Sequence, residues 1–231
     1  MDFLQKNLFT QLRSDNFGTQ EKLEPMTTFK QRKIAQMMKN LSAIPMGEVE
    51  LHNGFLNRRL AKIQQQEPHA IDASMDTVKL LRIIVSNVNA MYCGGISLRG
   101  IIELGLFLRT QGDKVDFVKL EDWLSRLHIE RMAQLEGSVL IKFFDFEKDE
   151  IPFVKVVEKG AYSLTLRSLY YNIQDMEAIK FRQSQMGFLH ITGGTMQKNL
   201  RRSLRYFGYA PIETVSNFLG NFFKSLSEIE E

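Results

Sequence analysis

Two stretches of this sequence carry residue types and spacings suited to chemistry. Glu48-Val49-Glu50-Leu51-His52 alternates, putting Glu48, Glu50 and His52 on one side and Val49 and Leu51 on the other. That is a short strand signal, and Glu48 and Glu50 are its candidate catalytic carboxylates. Near the other end, Gly193-Gly194-Thr195 opens a basic segment in which Lys198, Arg201, Arg202 and Arg205 share one face of a helix, opposite Met196, Leu200, Leu204 and Phe207. Free N–H groups and the helix dipole favour an anion at such a start, so Thr195 and the four cations are the anion-binding candidates. No acidic residue occurs between Glu177 and Glu213, so any anionic partner is expected to meet this end. A glycine turn with a threonine cap and a solvated basic face is the alternative.

Other reactive types are scattered. Gly137-Ser138 followed by Asp145-Phe146-Glu147 mimics a phosphate-turn and metal-carboxylate signature. The apolar run between them has no turn chemistry and reads as a buried helix ending in a solvated acidic turn. His52, His69, His128 and His190 stand at no zinc-ligand spacing, so no metal site is expected. Cys93 has no histidine near it in the sequence, as a thiol nucleophile needs, and reads as a small filler where a helix meets Gly94-Gly95.

The elements that must position these residues are mostly helical. Phe3, Leu4, Leu8 and Leu12 form one stripe, and Ile34, Met37, Met38 and Leu41 a second. Further helices are predicted from about Phe55 to Gln65 and from Asp72 or Ser74 to Gly94. Ser97 caps the next, which ends near Gly112, and Asp116 caps one holding Leu120, Trp123, Leu124 and Leu127; another runs from Ile129 to about Phe144. Trp123 is expected to be buried against the Ile101–Leu108 helix. Phe153–Val157 reads as an extended connector or short strand, and a helix follows from about Tyr162 to Met176. Pro211 starts the last helix, whose stripe Ile212, Val215, Phe218, Leu219, Phe222, Phe223 and Leu226 is expected to dock on the core. The fold class is mainly α, a multi-helix bundle with at most one or two short strands. It is read as a single composite domain over 1–231, with a helical lead-in (1–47), a central helical region (48–150) and basic and amphipathic C-terminal helices (151–231).

Several segments in order resemble the uncharacterised nucleotidyltransferase family: Glu48–His52, Asn57-Arg58-Arg59-Leu60, Gly94-Gly95-Ile96-Ser97-Leu98-Arg99-Gly100 running on to Trp123, Ile151-Pro152-Phe153 and the late Lys198-x-x-Arg201-Arg202. The resemblance covers about Glu48 to Leu226 and places Glu48–His52 as the last strand of a catalytic domain. Catalysis in that family uses a Gly-Ser turn that holds a triphosphate and strand carboxylates that hold Mg²⁺. Only Glu50 matches a carboxylate position. The resemblance therefore implies a non-catalytic relative with a degenerate active site, acting as a binding or regulatory module without a cofactor. The alternative is an active nucleotidyl- or phosphotransferase, which would require Mg²⁺.

Composition bounds the rest. With 231 residues, 44% hydrophobic and 25% charged, the chain can bury a substantial core. One cysteine excludes an internal disulfide, and a net charge of +3 does not by itself imply nucleic acid. Polar residues interrupt the apolar ones at the N-terminus, and no run reaches the roughly 20 residues of a membrane span. The expectation is a cytoplasmic protein whose partner is a polyanion or another protein.

Overall fold

The computed structural model describes residues 1–42, 46–169 and 204–227, with side chains for all of these except Ser42 and 221–227. Among them every regular element is a helix: α1 (Phe3–Phe17), α2 (Thr28–Ser42), α3 (Gly54–Gln66), α4 (Met75–Cys93), α5 (Leu98–Gln111), α6 (Phe117–Arg126), α7 (Glu130–Phe143), α8 (from 160 to at least 169) and α9 (Pro211–Ser227). Single 3₁₀ turns lie at Glu67–His69, Gly112–Lys114 and Leu204–Tyr206. The all-helical expectation holds, and neither stretch that read as a possible strand, 48–52 or 153–157, pairs with another.

The body is built around α4. Val78, Leu81, Ile84, Val85, Val88 and Met91 fill one side of it, and Leu80, Ser86, Asn87 and Ala90 on its other sides are buried as well, as expected of a helix with several neighbours. It packs on α5, α6 and α7, while α1 and α2 pair with each other and lie on α5. The α4–α5 crossing is close because Gly100 has no side chain; a Cβ there would lie 1.9 Å from Asn87 Oδ1. The amide Nδ2 of Asn87 donates to Gly100 O at 3.2 Å and to Glu136 Oε2 on α7 at 3.0 Å. Glu136 is fully buried and its other oxygen has no partner. Burial raises its carboxyl well above the usual carboxylate range, against the smaller opposing effect of Asn87.

Caps end the helices where the sequence implies. Ser97 Oγ accepts from Gly100 N–H at 3.3 Å, and Asp116 Oδ1 from Lys119 N–H at 2.9 Å. Ser74 stands at the N-cap of α4, but its hydroxyl meets Thr77 Oγ1 at 2.6 Å instead of capping. Trp123 is buried, at 5% exposure. Its helix α6 packs chiefly on α4 and α7. The reason lies at the start of α6. Asp116 N–H donates to Thr77 Oγ1 on α4 at 2.9 Å, and Lys119 Nζ pairs with Glu67 at 2.8 Å and Asp72 at 3.0 Å, which draws α6 toward α4.

The last helix corrects the sequence reading. Ile212, Val215, Phe218 and Leu219 are 39%, 46%, 36% and 44% exposed, while Glu213, Thr214 and Asn217 are buried. Within its described side chains α9 therefore turns its polar side to the body and leaves the apolar stripe outward. The side expected to be solvated is the one that holds the helix in place.

Candidate functional site

Residues 46–53 cross the ends of α4 and α9 like a buckle, and side chains of the helices take up their backbone hydrogen bonds. Ser86 Oγ donates to Gly47 O at 2.5 Å. Asn89 accepts from Glu48 N–H and donates to Glu50 O, both at 3.2 Å. Asn57 Oδ1 accepts from Leu51 N–H at 3.2 Å. These contacts explain why an alternating run forms no strand: no second strand is beside it, and asparagines take the ladder positions. The alternation itself survives, with Leu51 buried, Val49 half-buried and Glu48 and Glu50 exposed. Gly47 fits only because it lacks a Cβ, which would fall 2.1 Å from Ser86 O on α4.

Glu213, in the first turn of α9, closes the buckle. Its Oε2 accepts from His52 N–H at 2.7 Å and its Oε1 from Asn53 N–H at 3.0 Å, and the side chain has no exposed surface. Asn53 caps α3 by accepting from Phe55 and Leu56 N–H, and it reaches α9 through Nδ2 to Ser216 Oγ at 2.9 Å. A buried carboxylate is stable here because two backbone donors and a cation face it.

That cation is His52. Its Nδ1 is buried 3.5 Å from Glu213 Oε2, near enough for ion pairing but without hydrogen-bond geometry. The ring meets Tyr92 edge to face at 5.3 Å between centroids. Burial alone pulls the imidazolium down, but its contacts with Cys93 and Glu213, together with their charges, outweigh it and raise the group to about 9. Tyr92 is buried behind the ring, its hydroxyl 3.1 Å from Thr214 Oγ1 and 3.3 Å from Ala210 O. Burial, opposed by the Thr214 contact and aided by the Glu213 charge, pushes its phenol upward.

Cys93 ends α4 beside this ring, and it is exposed. The exposure departs from the reading of Cys93 as a small filler where α4 meets Gly94-Gly95. The fold brings His52 to it from 41 positions away in the numbering, so the site joins three elements that no local motif connects: the buckle, the end of α4 and the start of α9. The signal that could have found it is the polar set Glu213, Thr214 and Asn217 beside the apolar stripe of the last helix. Those residues had read as a solvated face.

The other candidates stand apart. Glu48 and Glu50 share the buckle with His52 but face solvent. Thr195, Lys198, Arg201 and Arg202 lie outside the described residues, and Arg205 is half-buried in the Leu204–Tyr206 turn. In the Gly137-Ser138 mimic, both residues are buried within α7, Ser138 Oγ donating to Gln134 O at 2.6 Å and accepting from Glu158 N–H at 2.9 Å. Asp145, at the far end of that mimic, is exposed and pairs with Arg13 at 3.1 Å. Among the described residues no three His, Cys, Asp or Glu side chains converge as metal ligands, and no helix is long and apolar enough to cross a membrane. A groove of about 440 Å³ between α1 and α2 is lined by Gln11, Leu23, Met26, Ile34 and Met38 among others; its one carboxylate, Glu24, pairs with Lys6.

No protein-family model, curated protein or solved structure matches the chain.

Proposed function

We propose that this chain is a relative of the uncharacterised nucleotidyltransferase family that works as a binding or regulatory module and not as a transferase. The observation that carries the reading is the buckle. In the resemblance, Glu48–His52 stands where a catalytic strand brings carboxylates to Mg²⁺. Here the same residues form an irregular strap with Glu48 and Glu50 turned to solvent, while its backbone is bonded to Ser86, Asn89, Asn57 and Glu213. Two exposed carboxylates on one strap give a divalent cation too few oxygen ligands for a phosphoryl-transfer site. The outward apolar side chains of α9, with Leu204 and Phe207 at 55% and 49% exposure beside them, support a protein partner as the target. The acid-free basic segment supports an anionic one.

The experiment is calorimetric titration of the full chain with Mg²⁺ and each common nucleoside triphosphate, beside the Glu50→Gln protein. No saturable heat is expected from either protein. A saturable, Mg²⁺-dependent heat in the wild type that Glu50→Gln abolishes would replace this reading with the active Mg²⁺-dependent nucleotidyl- or phosphotransferase.

A further inference from the structure

Between 211 and 220 the side chains of α9 that can form hydrogen bonds are turned to the body. Glu213, Thr214 and Asn217 are buried, and the half-buried Ser216 accepts from Asn53 Nδ2 at 2.9 Å. Glu213 is fastened to the His52 and Asn53 N–H groups at 2.7 and 3.0 Å, and Thr214 Oγ1 lies 3.1 Å from the Tyr92 hydroxyl. These bonds fix the helix about its own axis. Every exposed residue from 211 to 220 is consequently apolar: Pro211, Ile212, Val215, Phe218, Leu219 and Gly220. At about 100° per residue, Ile212, Val215, Phe218 and Leu219 fall within an arc of about 120°. Of the sixteen large hydrophobic side chains exposed among the described residues, six lie in 204–219, Leu204 and Phe207 being in the turn that packs on α9. Such a concentration, unlike scattered apolar side chains, marks a binding surface.

Apolar area alone suits a protein as well as a lipid; the hydrogen-bonding inventory separates them. A protein interface carries roughly one hydrogen bond per 100–200 Å², and the exposed side chains of this helix face include no donor or acceptor to make one. The hydrocarbon of a bilayer needs none. Charge supplies the second distinction. No acidic residue occurs from 178 to 212, and Lys198, Arg201 and Arg202 precede Leu204 by six, three and two positions. The covalent chain therefore keeps all three within about 22 Å of it, and a surface of negative headgroups attracts such a cluster. A second copy of the chain would bring an identical cationic segment against this one, and like charges oppose that pairing.

Building on the binding-module reading, we propose that this end of the molecule docks on anionic membrane surfaces, the α9 face entering the acyl-chain boundary and the cations before it meeting the headgroups. The helix lies in the plane of the surface, since no described helix is long and apolar enough to cross a bilayer. Because Glu213 and Thr214 already hold the polar side against the buckle and Tyr92, the apolar face is outward before any lipid is met.

The test is co-sedimentation of the full chain with vesicles of phosphatidylcholine alone and of phosphatidylcholine with about 30% phosphatidylserine. At about 0.1 M salt the anionic vesicles should bind the chain at least tenfold more strongly than the neutral ones, and about 0.5 M salt should release most of it. Val215→Ser/Leu219→Ser changes two positions that are 46% and 44% exposed, and it should weaken binding at least tenfold at an unchanged melting temperature. Leu219→Trp reads the depth directly. The added indole should be quenched by lipids brominated in their acyl chains, whereas the buried Trp123 of the wild type should not. No binding to anionic vesicles at the lower salt would overturn the proposal. So would binding that Val215→Ser/Leu219→Ser leaves unchanged, or an unquenched Leu219→Trp chain, either of which assigns the vesicles to the cations and the face to a protein. A dimer in sedimentation velocity that Val215→Ser/Leu219→Ser dissolves, without vesicle binding, would assign the face to a second copy. Mg²⁺ and nucleotide are absent throughout, so each of these outcomes is separate from that of the calorimetric titration.

Discussion

Replacing Glu213 with glutamine exchanges one carboxylate oxygen for an NH₂ at the centre of the buckle, where both oxygens are in use. Oε2 accepts from His52 N–H at 2.7 Å and Oε1 from Asn53 N–H at 3.0 Å, with no exposed surface on the side chain. The new NH₂ must face one of these donors, leaving a buried backbone N–H unpaired at about 1–3 kcal/mol, and the bond that remains loses its charge assistance. His52 also loses its counter-ion. The sum is about 2–4 kcal/mol, overlapping the range of about 3–5 kcal/mol for breaking one partner of a buried pair. A second signature lies in pH. His52 is raised from 6.5 to about 9, so its stabilising contribution is complete below the unfolded value near 6.5 and is lost as pH rises through about 9. The upper bound is about 3 kcal/mol, reduced because the ring is 21% exposed. Urea unfolding followed by Trp123 fluorescence and far-UV circular dichroism, at about pH 6 and pH 10, measures both. The gap between wild type and Glu213→Gln should be wide at pH 6 and narrower at pH 10. A gap below about 0.5 kcal/mol, the scatter of a neutral surface change, or one unchanged between the two pH values, would refute the reasoning.

Trp123→Ala should cost about 3–5 kcal/mol by urea unfolding, as large aromatic truncations in cores do, since the indole is only 5% exposed; the wild-type emission should be blue-shifted and poorly quenched by iodide. Glu136→Gln should gain on the wild type as pH rises. The carboxyl is raised in the fold by burial, so its contribution is present below about 4.5 and lost toward its folded value, and the variant's gain on the wild type should grow steadily from about pH 4.5 to 8. A thermal scan in which the two proteins keep a constant offset would show that Glu136 does not titrate as described. For the basic segment, Arg201→Glu/Arg202→Glu/Arg205→Glu should elute from heparin at lower salt than the wild type with a similar melting temperature; equal elution on heparin, RNA and anionic vesicles would remove the anionic partner.

The parts of this fold that were legible in the sequence are those set by local rules. The α5 and α6 starts follow from Ser97 and Asp116, the α9 start from Pro211, and the burial of α4 from its density of branched residues. Two readings failed for one shared reason, that tertiary hydrogen bonds outranked local pattern. The 48–52 alternation lost its strand because Asn89, Asn57 and Glu213 supplied the bonds a neighbouring strand would have made. The face of α9 was inverted because Glu213 and Thr214 bind the buckle and Tyr92, outweighing the burial of Ile212 and Val215. The candidate site was illegible for the same reason, since His52, Cys93 and Glu213 show no sequence spacing that marks them as partners.

The buckle also has a consequence in time. Its donors and its acceptor are far apart in the chain: Glu213 follows His52 by 161 residues and Asn53 by 160. At the usual synthesis rate of about 5–20 residues per second, the strap exists for about 10–30 s before the carboxylate that fastens it has been made. The helices α4 to α7 touch near neighbours in sequence and can pack within that interval. For its duration the His52 and Asn53 amides remain hydrated and the Tyr92 hydroxyl waits for Ala210 and Thr214. The nascent chain is thus born with an open strap, and α9 fastens it last.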